Sequence, residues 1–136
     1  MWRARFIVAE RSLLGVLVVY ALLIYTNESP QNPIAPDVNE AALDEHRALQ
    51  RDTAATGDLL SVARLDAKSD AKTVRFDSQN HTITDGPYME TKEWLVGLYM
   101  IECGSQSQAI DHAKRLCTDP LWCIEVRPVG WQRHGG

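Results

Sequence analysis

From Ser12 to Tyr25 the chain runs fourteen residues without a charge, SLLGVLVVYALLIY. Whatever the fold, this segment has to be buried. A helix needs about 20 apolar residues to span a bilayer, so the run is too short for a membrane span. TNESPQNP, which follows it, offers no small-residue A-x-A cleavage site of the kind an export signal carries. Val16 to Tyr25, rich in Val, Ile, Leu and Tyr, reads instead as a buried strand. The expectation is a cytoplasmic chain with no membrane association.

The punctuation downstream sets the other elements. Three prolines in TNESPQNPIAPDV, residues 26–38, make a connection. Asp37 and Glu40 have capping-box spacing and predict a helix that stops at Gly57. On its wheel Val38, Ala42, Leu43 and Leu49 share one arc, with His46 among them. DLLSVARL at 58–65 reads as a second strand. TVRF and HTIT, parted by Asp77-Ser78-Gln79-Asn80, read as a hairpin, and LVGLYMIEC at 95–103 as a central strand whose Gly97 signals close backbone approach or a bulge. Ser105 and Gln108 open a second helix with an apolar face of Ala109, Ile110, Ala113, Leu116 and Cys117, and Leu121 to Val129 form the last strand.

Strand, helix, strand, ribbon, strand, helix, strand in 136 residues is a single α+β domain. The order is that of a ferredoxin-like split βαβ unit with an inserted β-ribbon. Helices on one face leave the other face of the sheet apolar and open, so a homodimer is expected. Fourteen basic against eighteen acidic residues give a net charge of -4, which leaves no electrostatic footprint for nucleic acid. Cys103, Cys117 and Cys123 lack C-x-x-C spacing, and the His112–Cys117 spacing is that of chance, so no metal is assigned. With no phosphate-cradling glycine loop, H-E-x-x-H or G-x-S-x-G, no cofactor is expected either.

TDGPYMETKE, residues 84–93, is too polar for a core strand. Asp85 either holds the turn or is presented by Gly86-Pro87 at a strand end as part of a site. If this stretch is strand, Glu90 and Lys92 share a face, either as a solvated ion pair or as a binding pair. His46 is either a structural histidine or an acid–base group at neutral pH. The candidate site takes His46 and Asp85 as a catalytic pair, Glu90 as a pocket residue, and Lys92 and Tyr88 at the rim. Such a pair suits proton abstraction beside a carbonyl, with a small acid or lactone as the ligand.

YALLIY at 20–25, TVRF at 73–76, TDGPYMETKE, GLYMIE at 97–102, QAIDHA at 108–113 and EVRPV at 125–129 resemble, in order, the blocks of the YCII-related superfamily, and within it the DGPF-domain group. The resemblance covers residues 18–130. It implies a dimeric α/β-barrel built from ferredoxin-like subunits. Residues 1–17 stand outside it as an N-terminal extension or a misassigned start, and residues 131–136 as a tail. Tyr88 takes the place of the usual Phe, Met89 that of a small residue, and SVARL that of a Gly-rich strand end. Two functions are implied. One is a non-catalytic ligand-binding or regulatory module associated with an extracytoplasmic-function sigma factor. The other is an acid–base enzyme resembling lactone isomerases or a dehalogenase, using a His-Asp pair.

Overall fold

A computed structural model describes residues 18–133, so the N-terminal extension and the end of the tail lie outside the described residues. The chain forms β1 (Val18–Thr26), α1 (Pro36–Ala55), β2 (Leu59–Arg64), a short 3-10 turn, β3 (Lys72–Asp77), β4 (Asn80–Asp85), β5 (Trp94–Cys103), α2 (Gln106–Leu116) and β6 (Trp122–Pro128). Four strands make one antiparallel sheet in the order β2-β5-β1-β6, and β3 and β4 make a separate ribbon. The described residues form no closed barrel. Among the described residues no helix is long and apolar enough to cross a membrane.

The uncharged run makes sense once β1 is seen between β5 and β6. A strand flanked on both sides, with neither face fully in water, reads as continuous hydrophobicity rather than alternation. Tyr20, Leu22 and Ile24 join Tyr99, Ile101 and Cys103 of β5, Leu49 of α1, and Ala109, Ala113 and Leu116 of α2 in the core. The opposite face carries Ala21, paired with Met100, and Leu23, paired with Leu98, all of them only half-buried.

The first helix starts differently from its predicted capping box. Ala35 occupies the N-cap with no side-chain bond, and Pro36 opens the helix. Proline suits that position because its missing N–H would have been unpaired anyway. Asp37 therefore lies inside the first turn, where its charge favours the helix dipole. The second helix follows its signature: the Gln108 amide N–H donates to Ser105 Oγ at 3.1 Å, and Gly104 N–H donates to Gln108 Oε1 at 2.7 Å. Of its predicted apolar face, Ile110 and Cys117 are exposed.

The ribbon turns over Ser78 and Gln79, with Ser78 in the left-handed region at φ 56°. Lys72, Val74 and Phe76 stand opposite Asp85, Ile83 and His81. Val74, Phe76 and Ile83 are each more than 60% exposed. Residues 86–93 are irregular rather than extended, so strand alternation does not put Glu90 and Lys92 on one face.

The thiols divide by burial. Cys103 is 1% exposed, and burial, with Asp58 adding to it, pushes its pKa up to about 11. Cys117 and Cys123 are free and exposed. Because the thiolate is the reactive form, native protein treated with iodoacetamide at neutral pH is expected to take label at Cys117 and Cys123 and to protect Cys103 until denatured. Peptide mass mapping reads this, and equal labelling of all three would contradict the packing of β5.

Candidate functional site

Between α1, over Asn39 to Gln50, and the helix-covered face of the sheet lies a cavity of about 490 Å³. Helix α1 contributes Asn39, Ala42, Leu43, His46 and Gln50. The sheet contributes Ile24, Val62, Val96, Tyr99 and Trp122, and Trp94 closes one end. The walls are mostly apolar, with Glu28, Arg64 and Asp66 as the charged residues lining it. The Trp94 indole N–H donates to the Glu28 carbonyl at 3.3 Å, and Lys68 Nζ sits 5.4 Å from its ring centroid. These contacts fix the indole as a wall.

Gly97 lets β2 come close enough to form the far wall. A Cβ built there would lie 2.8 Å from the Ala63 carbonyl oxygen and 3.6 Å from Arg64 Cα. Both readings of Gly97 apply, since beside this close approach the register with β1 shifts between Ile24, opposite Gly97, and Tyr25, opposite Leu95.

At the polar end, His46 Nδ1 and the Tyr99 hydroxyl are 2.7 Å apart, and Gln50 Nε2 donates to the same hydroxyl at 3.0 Å. The imidazole stacks on Tyr99 with centroids 5.7 Å apart and planes at 22°. Burial holds the His46 pKa below its ordinary value of 6.5 and raises that of Tyr99, so both are neutral near pH 7. Spacing alone gave His46, through the apolar arc of α1. Gln50 lies one turn further on the same face and was legible in principle. Tyr99 looks like any aromatic of a core strand.

The four residues expected beside His46 lie elsewhere in the chain. None of Asp85, Tyr88, Glu90 and Lys92 lines this cavity. Asp85 pairs with Lys72 directly across the ribbon, and its side chain is 84% exposed. The turn is held by other groups: Gly86 N–H donates to the Ala71 carbonyl at 2.7 Å, and Thr73 Oγ1 donates to the Gly86 carbonyl at 2.8 Å. Gly86 has φ +91°, a conformation that suits glycine there. Arg75 donates to the Tyr88 carbonyl at 2.6 Å, leaving the Tyr88 side chain in solvent, and Glu90 and Lys92 are exposed. The nearest atom to a Cβ built at Gly86 is Glu90 Oε1, at 3.8 Å.

A depressed histidine pKa links this site to stability. Because the folded pKa of His46 lies below its unfolded value, the folded state binds fewer protons through that interval. Its contribution is intact above about pH 6.5 and is lost as pH falls below that value. His112, lowered by burial and by Arg115, acts with the same sign. Urea unfolding at pH 7 and pH 5 is expected to show lower stability at pH 5, with a shallower dependence in His46→Gln. An unchanged pH slope in that variant would mean that His46 titrates normally.

The model of the YCII-related domain matches residues 18–129, which runs from the first residue of β1 to just past β6. A Rhizobium meliloti (strain 1021) protein, itself described as uncharacterised, is 34% identical over 120 residues, covering 87% of this chain and 97% of its own length. With the match spanning both helices, the sheet and the ribbon that carries TDGPYMETKE, the chain belongs to the YCII-related domain family.

Proposed function

We propose that the protein is a non-catalytic ligand-binding module that holds a small, largely apolar molecule in the cavity under α1. The carrying observation is the cavity: about 490 Å³, walled by Trp94 and Trp122, with a neutral histidine at its polar end. Pockets that take small ligands are of this size and lining, roughly 300–1,000 Å³ and mostly apolar with a few polar groups. Two features support a homodimer of ferredoxin-like subunits closing into an α/β-barrel. The strand order β2-β5-β1-β6 is that of a split βαβ unit, and the sheet face bearing Ala21, Leu23, Leu98 and Met100 is apolar. The family resemblance adds an extracytoplasmic-function sigma factor as the regulatory partner, and the free thiols of Cys103, Cys117 and Cys123 suit a cytoplasmic setting. The exposed Val74, Phe76 and Ile83 of the ribbon suit a protein contact.

A second reading, an acid–base enzyme acting on a lactone or small acid, draws on the same neutral imidazole. It has less support, because His46 meets a tyrosine and Asp85 meets Lys72. One experiment separates the two. Full-length protein is incubated with a library of small carbonyl compounds and followed by thermal shift, tryptophan fluorescence and product analysis. Saturable binding without turnover, weakened in His46→Leu, is the expected result. Turnover that vanishes in His46→Ala and Asp85→Asn would replace the binding reading with the catalytic one, and no saturable binding would remove both. Light scattering that gives a strict monomer would remove the barrel-type dimer.

A further inference from the structure

We infer that Gln50 and Tyr99 are positioning residues that lock the neutral His46 ring with its proton on Nε2, so that the cavity offers an N–H donor rather than a base, and accepts ligands through a carbonyl or carboxylate oxygen. The inference rests on the cavity being a ligand site only for its last clause. The tautomer itself is a property of the free protein.

A tyrosine hydroxyl has one proton to give and oxygen lone pairs to receive with. Gln50 Nε2 donates to the Tyr99 oxygen at 3.0 Å. The hydroxyl proton is then available to the other close partner, His46 Nδ1, at 2.7 Å. Nδ1 accepts it only with its lone pair free, and a neutral imidazole with a bare Nδ1 carries its proton on Nε2. No buried side-chain nitrogen or oxygen among the described residues lacks a partner. Nε2 makes no hydrogen bond with a described residue and is not sealed in the interior, and the ring that carries it lines the cavity.

The direction of the chain is set by the amide. With the Gln50 side chain reversed, its Oε1 would accept from Tyr99, the tyrosine oxygen would accept from His46 Nδ1–H, and a bare Nε2 would face the cavity as a base. The two arrangements make opposite demands on a ligand. An N–H donor bonds an acceptor oxygen, whereas a basic nitrogen bonds an O–H or N–H.

Protonation of the ring fits the first arrangement poorly. A charged imidazole would bring a second donor to a tyrosine oxygen already receiving one from Gln50, and would displace the hydroxyl proton from its acceptor.

The test needs no ligand. Long-range 1H–15N spectra of the full-length protein at neutral pH identify the tautomer, since a pyrrole-like and a pyridine-like nitrogen resonate far apart. The expected spectrum has Nε2 pyrrole-like and Nδ1 pyridine-like, with a bias of about tenfold or more, the scale of one net hydrogen bond. Tyr99→Phe should reduce that bias and raise the His46 pKa, because a hydrogen bond to the neutral form is gone. Gln50→Glu should reverse the chain: a carboxylate receives the Tyr99 proton, the tyrosine oxygen receives Nδ1–H, and the ring becomes protonated at Nδ1. A pyridine-like Nε2 in the parent overturns the inference, as does a His46 tautomer unmoved by both substitutions. Should either variant fail to fold, the parent spectrum decides alone. Titration with benzamide and benzoate then addresses the ligand. A shift of the Nε2 resonance with either supports the acceptor-oxygen preference, while the expected tautomer with no response to either removes only the ligand claim.

Discussion

Leu49→Ala is expected to lower the free energy of unfolding by about 2–5 kcal/mol, the range for emptying a buried leucine site. Leu49 has no exposed surface and lies in the core cluster with Leu22, Tyr99 and Leu116, where it anchors α1. The helix has few other anchors. Asn39, Leu43, His46 and Gln50 line the cavity, and the helix's outward pairs, such as Arg47 with Asp44 and Glu40, are exposed, worth about 0–1 kcal/mol each. Leu43→Ala is the control, since Leu43 is half-buried and lines the cavity. Denaturant titration should show a much smaller loss for it. Equal losses would mean that the cavity side of α1 is packed as tightly as the core side, which a ligand site does not allow.

Gly97→Ala is expected to destabilise the fold by about 1–3 kcal/mol, the usual cost of forcing extra volume into a packed site. The sign is the informative part. Glycine within a strand is ordinarily the weaker choice than alanine, by roughly 0.5–1 kcal/mol. Here the new methyl would meet the Ala63 carbonyl oxygen at 2.8 Å, and a paired backbone has no rotamer by which to move aside. Strand β2 would have to shift at Val62–Arg64, which forms one wall of the cavity. Amide chemical shifts should therefore change in β2 and α1 while β6 stays put. A neutral or stabilised Gly97→Ala protein would show that β2 and β5 are less closely apposed than the 2.8 Å contact requires.

The order of elements was legible because each boundary is written in local chemistry. Pro30, Pro33 and Pro36 clear the connection to α1, Ser105 and Gln108 open α2, and Gly97 marks the close approach of two strands. The capping box at Asp37 misled, since Pro36 one residue earlier is itself a good first helical position. The site was half legible. His46 stands out as a polar residue on an apolar arc, but its partner comes from β5, 53 positions away, and Tyr99 in the run LYMI carries no mark of a polar role. TDGPYMETKE is unusual in composition. Such composition records a demanding turn, met at Gly86 with φ +91°, as readily as a site.

The place of β1 at the middle of the sheet has a consequence for how the chain is made. It is synthesised ahead of every other described element, yet both strands that flank it, β5 and β6, come in the last third of the sequence. Tyr25 and its hydrogen-bonding partner Glu125 are 100 positions apart. A ribosome adds roughly 5–20 residues per second, so each nascent chain carries an uncovered, charge-free strand for several seconds before a neighbour can pair with it. Unpaired apolar strands are what chains aggregate through. The molecule's most sheltered strand when folded is thus its most exposed one at birth, and its yield in a cell depends on whatever shields β1 until β5 and β6 leave the ribosome.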